Sequence, residues 1–174
     1  MTLKFTKEQR AILINQMEIL KRVDPQNSDE YEKKIDILYN GFSYFYSDIS
    51  GEIEDEFPEI ITRQVFDILN MYRTLYFSYE NLTEEEQDEI SEEDVLFQGF
   101  DGSEEPYHYS FVKYVVERSR LYSEMSDLLE EGKIQLNSHC NRISYYNKLL
   151  SRWSKISTNE PYLTLQQIKT VIGK

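Results

Sequence analysis

The chain has 174 residues, a formal net charge of −13, and 48 residues that are Leu, Ile, Val or Phe. That apolar share is too high for a charged, disordered chain, and the length suits one domain with a sizeable core. No stretch approaches the roughly 18 apolar residues of a spanning helix, the opening Met1–Glu8 has no signal-peptide core, and Cys140 alone excludes an internal disulfide or a Cys-based metal set; the expectation is a cytoplasmic protein.

Thr6 followed by Gln9 reads as a capping box that opens a helix through about Val23, along which Ile12, Leu13, Gln16, Ile19, Leu20 and Val23 recur at helical spacing. Asp24-Pro25 stops it, because the residue before proline is pushed out of α geometry. Ser28 then caps a second helix with Tyr31, Ile35 and Leu38 inward, ending at Asn40-Gly41. Phe42 to Ile53 is aromatic at its start, where Phe42, Tyr44 and Tyr46 alternate with Ser43, Phe45 and Ser47, a weak strand pattern without a partner strand. A short helix or irregular packing segment is the better reading.

Pro58 sits well in a first helical turn, and the next helix should run to about Glu80. Its stripe is Ile61, Val65, Ile68, Tyr72, Leu75 and Tyr79, while Ile60, Phe66, Met71 and Phe77 spread apolar character around the rest of the helix. Such a helix is usually buried, so this one is expected to be central. Thr83 with Glu86 predicts a short acidic helix to about Glu93, and Val95 to Gly102 an ordered loop. Pro106 opens a helix expected to reach Met125; Asp127 to Ser138 reads as a connection with a short turn of helix; a basic helix follows from Cys140 to Ile156. Thr164 with Gln167 caps a last helix carrying Leu165, Ile168, Val171 and Ile172. The fold class is therefore all-α: one multihelical domain over residues 1–174, with six to seven helices around a buried central one.

Charge is unevenly placed. Between Arg73 and Lys113 there are 12 acids and no Lys or Arg, whereas Lys133 to Lys174 holds seven bases and one acid, Glu160. Lys148, Arg152 and Lys155 share one helical face, opposite Tyr146, Leu149, Leu150, Trp153 and Ile156. Solvated faces are the plain reading of both regions. The sharper one makes Glu84, Glu85, Glu89 and Glu93, with Lys148, Arg152 and Lys155, an interaction surface on which acidic and basic patches meet, within a subunit or across an oligomer.

Gln9-Arg10, Ile12-Leu13, Asn15-Gln16, Asp24-Pro25, Asp67-Ile68, Met71-Tyr72, the Gly99-Phe100-Asp101 turn and Trp153 together resemble the YfbU family, over roughly Glu8 to Ile172. The resemblance implies a multihelical bacterial protein with buried central helices and a tendency to assemble. It brings no established activity and no catalytic residues. The acidic run from Glu84 to Asp94 stands outside it.

The residues themselves offer little for catalysis. Glu105 and His108 have Glu-x-x-His spacing, but di-iron bundles need two such motifs, so a surface or capping histidine is the expectation. His139 and Cys140 are neighbours that a helix would splay apart, and Cys140 reads as a small buried thiol in a helix. Tyr72, Tyr76, Tyr79, Tyr145 and Tyr146 read as buried rings with hydroxyls at a polar edge. There is no phosphate loop, zinc set or calcium loop, and Asp101-Gly102 is a turn signal. No cofactor is expected. The leading expectation is a homo-oligomeric interaction or regulatory protein without catalysis. The alternatives are an enzyme or small-ligand binder with a pocket near the 97–101 loop, the central helix and His108, or nucleic-acid binding through Arg142, Lys148, Arg152 and Lys155, which the overall acidity opposes.

Overall fold

The Thr6 hydroxyl accepts from the N–H of Gln9, and the Gln9 side chain accepts from the N–H of Thr6, so the expected capping box opens helix α1, Lys7–Val23. The computed structural model describes residues 3–51, 56–156 and 160–174. A 3₁₀ turn over Pro25–Asn27 leads into α2, Ser28–Asn40, which ends where Gly41 takes φ +70°. One side of α1 faces α2: Met17 is buried, Arg10 Nη1 donates to the Leu38 carbonyl at 2.8 Å, and Lys21 pairs with Glu32 at 2.7 Å. Asp24 accepts from Asn27 and from the Tyr31 hydroxyl, hydrogen bonds that hold its carboxyl below the ordinary range. The aromatic-rich segment 42–46 contains a 3₁₀ turn at Ser43–Phe45, and α3, Ser47–Ser50, is a single turn. The remainder of the Phe42–Ile53 segment, from Glu52 onward, lies outside the described residues.

The chain divides into two compact units, Met1–Glu56 and Phe57–Lys174. The second is organised on α4, Glu59–Glu80, which buries Val65, Ile68, Leu69, Met71, Tyr72, Leu75 and Ser78. This is the central helix expected from the sequence, although Ile60 on its flank is exposed. The acidic stretch folds as two single turns rather than one helix: α5, Glu84–Gln87, capped by Thr83 and Glu86, and α6, Glu92–Val95, whose Asp94 accepts from the N–H of Ser91. Like charges four apart, Glu84 with Asp88 and Glu85 with Glu89, oppose one continuous helix, and Ser91 supplies a fresh start.

The helix expected from Pro106 to Met125 is broken. Helix α7, Pro106–Lys113, widens into a π turn over Tyr114–Arg118, and Arg120 adopts φ +49° before α8, Ser123–Glu130. Arg120 is held there by ion pairs to Asp127 and Glu130, at 3.1 and 3.0 Å. Arg73 of α4 grips Glu124 through both carboxylate oxygens and lies 4.1 Å over the Tyr122 ring. The short turn of helix expected within 127–138 is the second half of α8, which starts earlier, at Ser123. Helix α9 spans Ile143–Trp153, shorter than expected, and α10, Leu165–Ile172, has the predicted Thr164–Gln167 box. Among the described residues there are ten α-helices, not six or seven, and no strand. Three of the ten are four-residue turns, too short to register as a periodic pattern.

Candidate functional site

The loop between α6 and α7 is the best-constructed irregular segment of the second unit. Val95, Leu96, Phe97 and Phe100 are all buried in its core. Gly99 takes φ +79°, and a Cβ there would lie 2.6 Å from the Gln135 and Leu136 carbonyl oxygens, so only glycine fits. This close approach lets Phe100 N–H donate to Leu136 O (2.9 Å) and Ser138 N–H donate to Phe100 O (3.0 Å) as an isolated parallel bridge. The Tyr146 hydroxyl donates to Gly99 O at 2.6 Å. Asp101 closes the loop by accepting from the N–H groups of Glu104 and Ser103, which hold its carboxyl below the ordinary range.

Glu105 is the hub. Its side chain is buried, with Oε2 accepting from Asp101 N–H and Oε1 from the N–H groups of Arg142 and Ile143, each at 2.8 Å. A carboxylate from the start of α7 therefore caps the free donors at the start of α9. Because that cap starts the helix at Ile143, Cys140 lies in the preceding bend, exposed, and not in a helix as a buried thiol. His108 is likewise not at the surface. It is buried against the Phe100 ring, its Nε2 2.9 Å from Gln64 Oε1, and burial lowers its pKa. Glu105 and His108 thus serve separate partners, and among the described residues no group of three His, Cys, Asp or Glu is placed to hold a metal.

Behind the loop, Tyr72, Phe97, Phe100 and Tyr146 form a ring cluster with centroids 5.4–5.8 Å apart. Burial pushes the Tyr146 and Tyr72 hydroxyls well above the ordinary tyrosine range. Tyr72 departs from the expected polar edge: its hydroxyl is buried without a hydrogen bond of normal geometry, although Tyr145 is close enough to influence it. In front of the loop lies an open cavity of about 360 Å³, lined by polar side chains that include Gln98, Gln135, Asn137, Ser138 and Arg142. It adjoins the 97–101 loop as the ligand-binding alternative requires, but His108 is not on its wall.

The acidic segment is met by basic residues, though not those of α9. Glu89 pairs with Lys169 at 2.5 Å, Asp94 with Lys174 at 2.5 Å, and Glu92 with Lys133 at 3.6 Å. Among the described residues, Glu84, Glu85 and Glu93 have no ion pair, nor have Lys148, Arg152 and Lys155. Arg152 instead donates to the Val171 carbonyl at 3.3 Å, near the end of α10.

In the first unit most of the apolar α1 stripe is exposed, Ile12 by 59%, Ile19 by 60% and Val23 by 75%, while Leu13 is half-buried. Its upper part, with Phe5, Gln9, Leu13 and Gln16, lines a shallow cavity of about 260 Å³. Met17, Leu38 and Tyr46 are the buried apolar residues described for this unit, a small core for a helical hairpin.

Compared with known proteins, residues 3–173 match the model of the YfbU domain. This chain belongs to the YfbU family. It is similar to a UPF0304 protein of Methanocaldococcus jannaschii, 30% identical over 168 residues that make up 97% of this chain and 98% of the relative. The resemblance read from the sequence is therefore confirmed. Of the positions that carry it, Gly99, Phe100 and Asp101 build the loop and Tyr72 backs it. Trp153 packs against the second unit's core, Asp24 and Pro25 make the turn after α1, and Asn15 and Gln16 are exposed on α1. Sequence reading missed the hub role of Glu105 and its partners at 142–143. The spacing to His108 drew attention to the right residue with the wrong chemistry.

Proposed function

We propose that this YfbU-family protein acts by binding, as a self-associating interaction or regulatory protein, and not by catalysis. The observation that carries this reading is the uncharged α1 face, with Ile12, Ile19 and Val23 open to solvent. Large apolar side chains recurring along one exposed, uncharged helix face suit an interaction site. The buried ionisable side chains support it too. Glu105 and Asp101 are occupied in fixing backbone, and His108 in holding Gln64, which leaves no acid–base pair aimed at an open space among them. Multi-angle light scattering across a dilution series tests the proposal: a mass that falls with dilution is expected, and a constant monomer mass refutes it. Repeating the series in high salt reads how far charge contributes.

A second reading is favoured by the polar cavity beside the 97–101 loop. Arg142 reaches its wall and has a buried Nε without a hydrogen-bond partner. It would suit a small polar molecule. Ligand screening by thermal shift, repeated on Arg142→Ala, separates the two: a hit lost in the variant favours the cavity.

A further inference from the structure

Helix α1 has two distinct working faces. Arg10, Met17, Lys21 and Asp24 address α2. About 130° around the helix lie Gln9, Ile12, Gln16, Ile19 and Val23, without a charge among them and all exposed. These five recur at alternating steps of three and four, the spacing of a coiled-coil seam. Along one edge of that seam, Glu8, Asn15 and Arg22 recur every seven residues, all exposed. Neither Glu8 nor Arg22 has an ion pair among the described residues.

We infer that α1 docks on α1 of a second copy of this chain, antiparallel about a twofold axis beside Asn15, with Glu8 of each copy facing Arg22 of the other. In an antiparallel pair, like edges meet. With the axis beside Asn15, that residue faces its own equivalent, and the acid at one end falls opposite the base at the other, twice over. The same register sets Gln9 over Ile19 and Ile12 over Gln16 across the seam, and brings Val23 to the segment at Phe5. A parallel pair would put Glu8 and Asn15 over Leu13 and Leu20 and leave both charges unmatched. An edge that complements itself only under a twofold axis points to a second copy rather than to an unrelated partner. At 1.5 Å per residue α1 is about 26 Å long. A single helix pair of that length sits at the small end of specific interfaces, so the dimer dissociates on dilution.

This inference rests on the self-association reading, and the experiment separates the two. Sedimentation velocity at low salt is run on the full chain and on Glu8→Arg, Arg22→Glu, the double reversal, and an equimolar mixture of the two single variants, with far-UV circular dichroism as a check on helix content. Each single reversal places like charges at both ends of the seam and is expected to weaken the dimer about tenfold, the equivalent of about 1.4 kcal/mol. The double reversal and the mixture are expected to restore it, because the mixture sets an all-basic edge against an all-acidic one. Ile12→Asp is expected to abolish it. If the wild type associates but Ile12→Asp and the reversals leave its dissociation constant unchanged, the interface lies elsewhere and only this inference falls. If the singles weaken the dimer and neither rescue works, the Glu8–Arg22 register is wrong. A wild type that stays monomeric, its stripe covered by its own chain or by another protein, overturns both this inference and self-association.

Discussion

Replacing Glu105 by glutamine removes the charge at the centre of the second unit while keeping the side chain's shape. The carboxylate accepts three backbone N–H bonds, two on Oε1 from α9 and one on Oε2 from Asp101, each 2.8 Å long. An amide has one oxygen, so either the α9 donors or the Asp101 donor must face an NH₂ group. At least one bond to a charged acceptor is lost, worth about 1.5–3 kcal/mol, and the bonds that remain lose their charge assistance. The expected destabilisation is about 3 kcal/mol. For a chain of this length that is a fall of about 6–12 °C in melting temperature, measured by far-UV circular dichroism at neutral pH. Because two compact units can melt separately, amide exchange supplies a local readout: the Arg142 and Ile143 amides should exchange faster in the variant. An unchanged melt with unchanged protection of those two amides would refute the role assigned to Glu105.

Gly99→Ala should destabilise the second unit by roughly 3 kcal/mol, since φ +79° and two carbonyl oxygens 2.6 Å from the new Cβ leave it no room; a urea melt measures this. Tyr146→Phe deletes the 2.6 Å bond to Gly99 O and should cost about 1–2 kcal/mol, whereas Tyr72→Phe deletes a buried hydroxyl without a normal hydrogen bond and should be neutral or stabilising. The same melt compares the pair, and equal losses would count against the cluster as described. Burial lowers the His108 pKa, so below about pH 6.5 the unfolded chain binds a proton that the folded chain resists. Stability should therefore fall as pH drops from about 6.5 toward the lowered folded value. His108→Gln should flatten that part of the stability–pH curve.

What was legible in the sequence was mostly local. Thr6 with Gln9, Thr83 with Glu86 and Thr164 with Gln167 each opened a helix where expected, because a capping box needs only residues three apart. The central helix was legible because a helix apolar around most of its circumference has to be buried. The misses are tertiary. The α7–α8 break depends on Arg120 reaching Asp127 and Glu130 from a left-handed conformation, and nothing in a helical apolar pattern announces it. The start of α9 was read three residues early, at Cys140, since its cap is a glutamate 37 residues upstream. His108 was read as a surface or capping residue because its partner, Gln64, is on another helix. Glu105 was weighed only as a metal ligand with His108, whereas its partners are backbone groups that no side-chain motif records. The α1 stripe is a case where a periodic pattern leaves the answer open. Periodicity found the apolar face of the helix, but it could not distinguish a face covered by the same unit from one left open.

Whether that face is an interface between copies is tested most directly by sedimentation velocity of the wild type beside an Ile12→Asp, Ile19→Asp variant over a dilution series. The account predicts a wild-type species of about twice the 20.9 kDa chain mass that dissociates on dilution, and a variant that stays monomeric with its helix content intact. The same association state in both proteins at every concentration would contradict it.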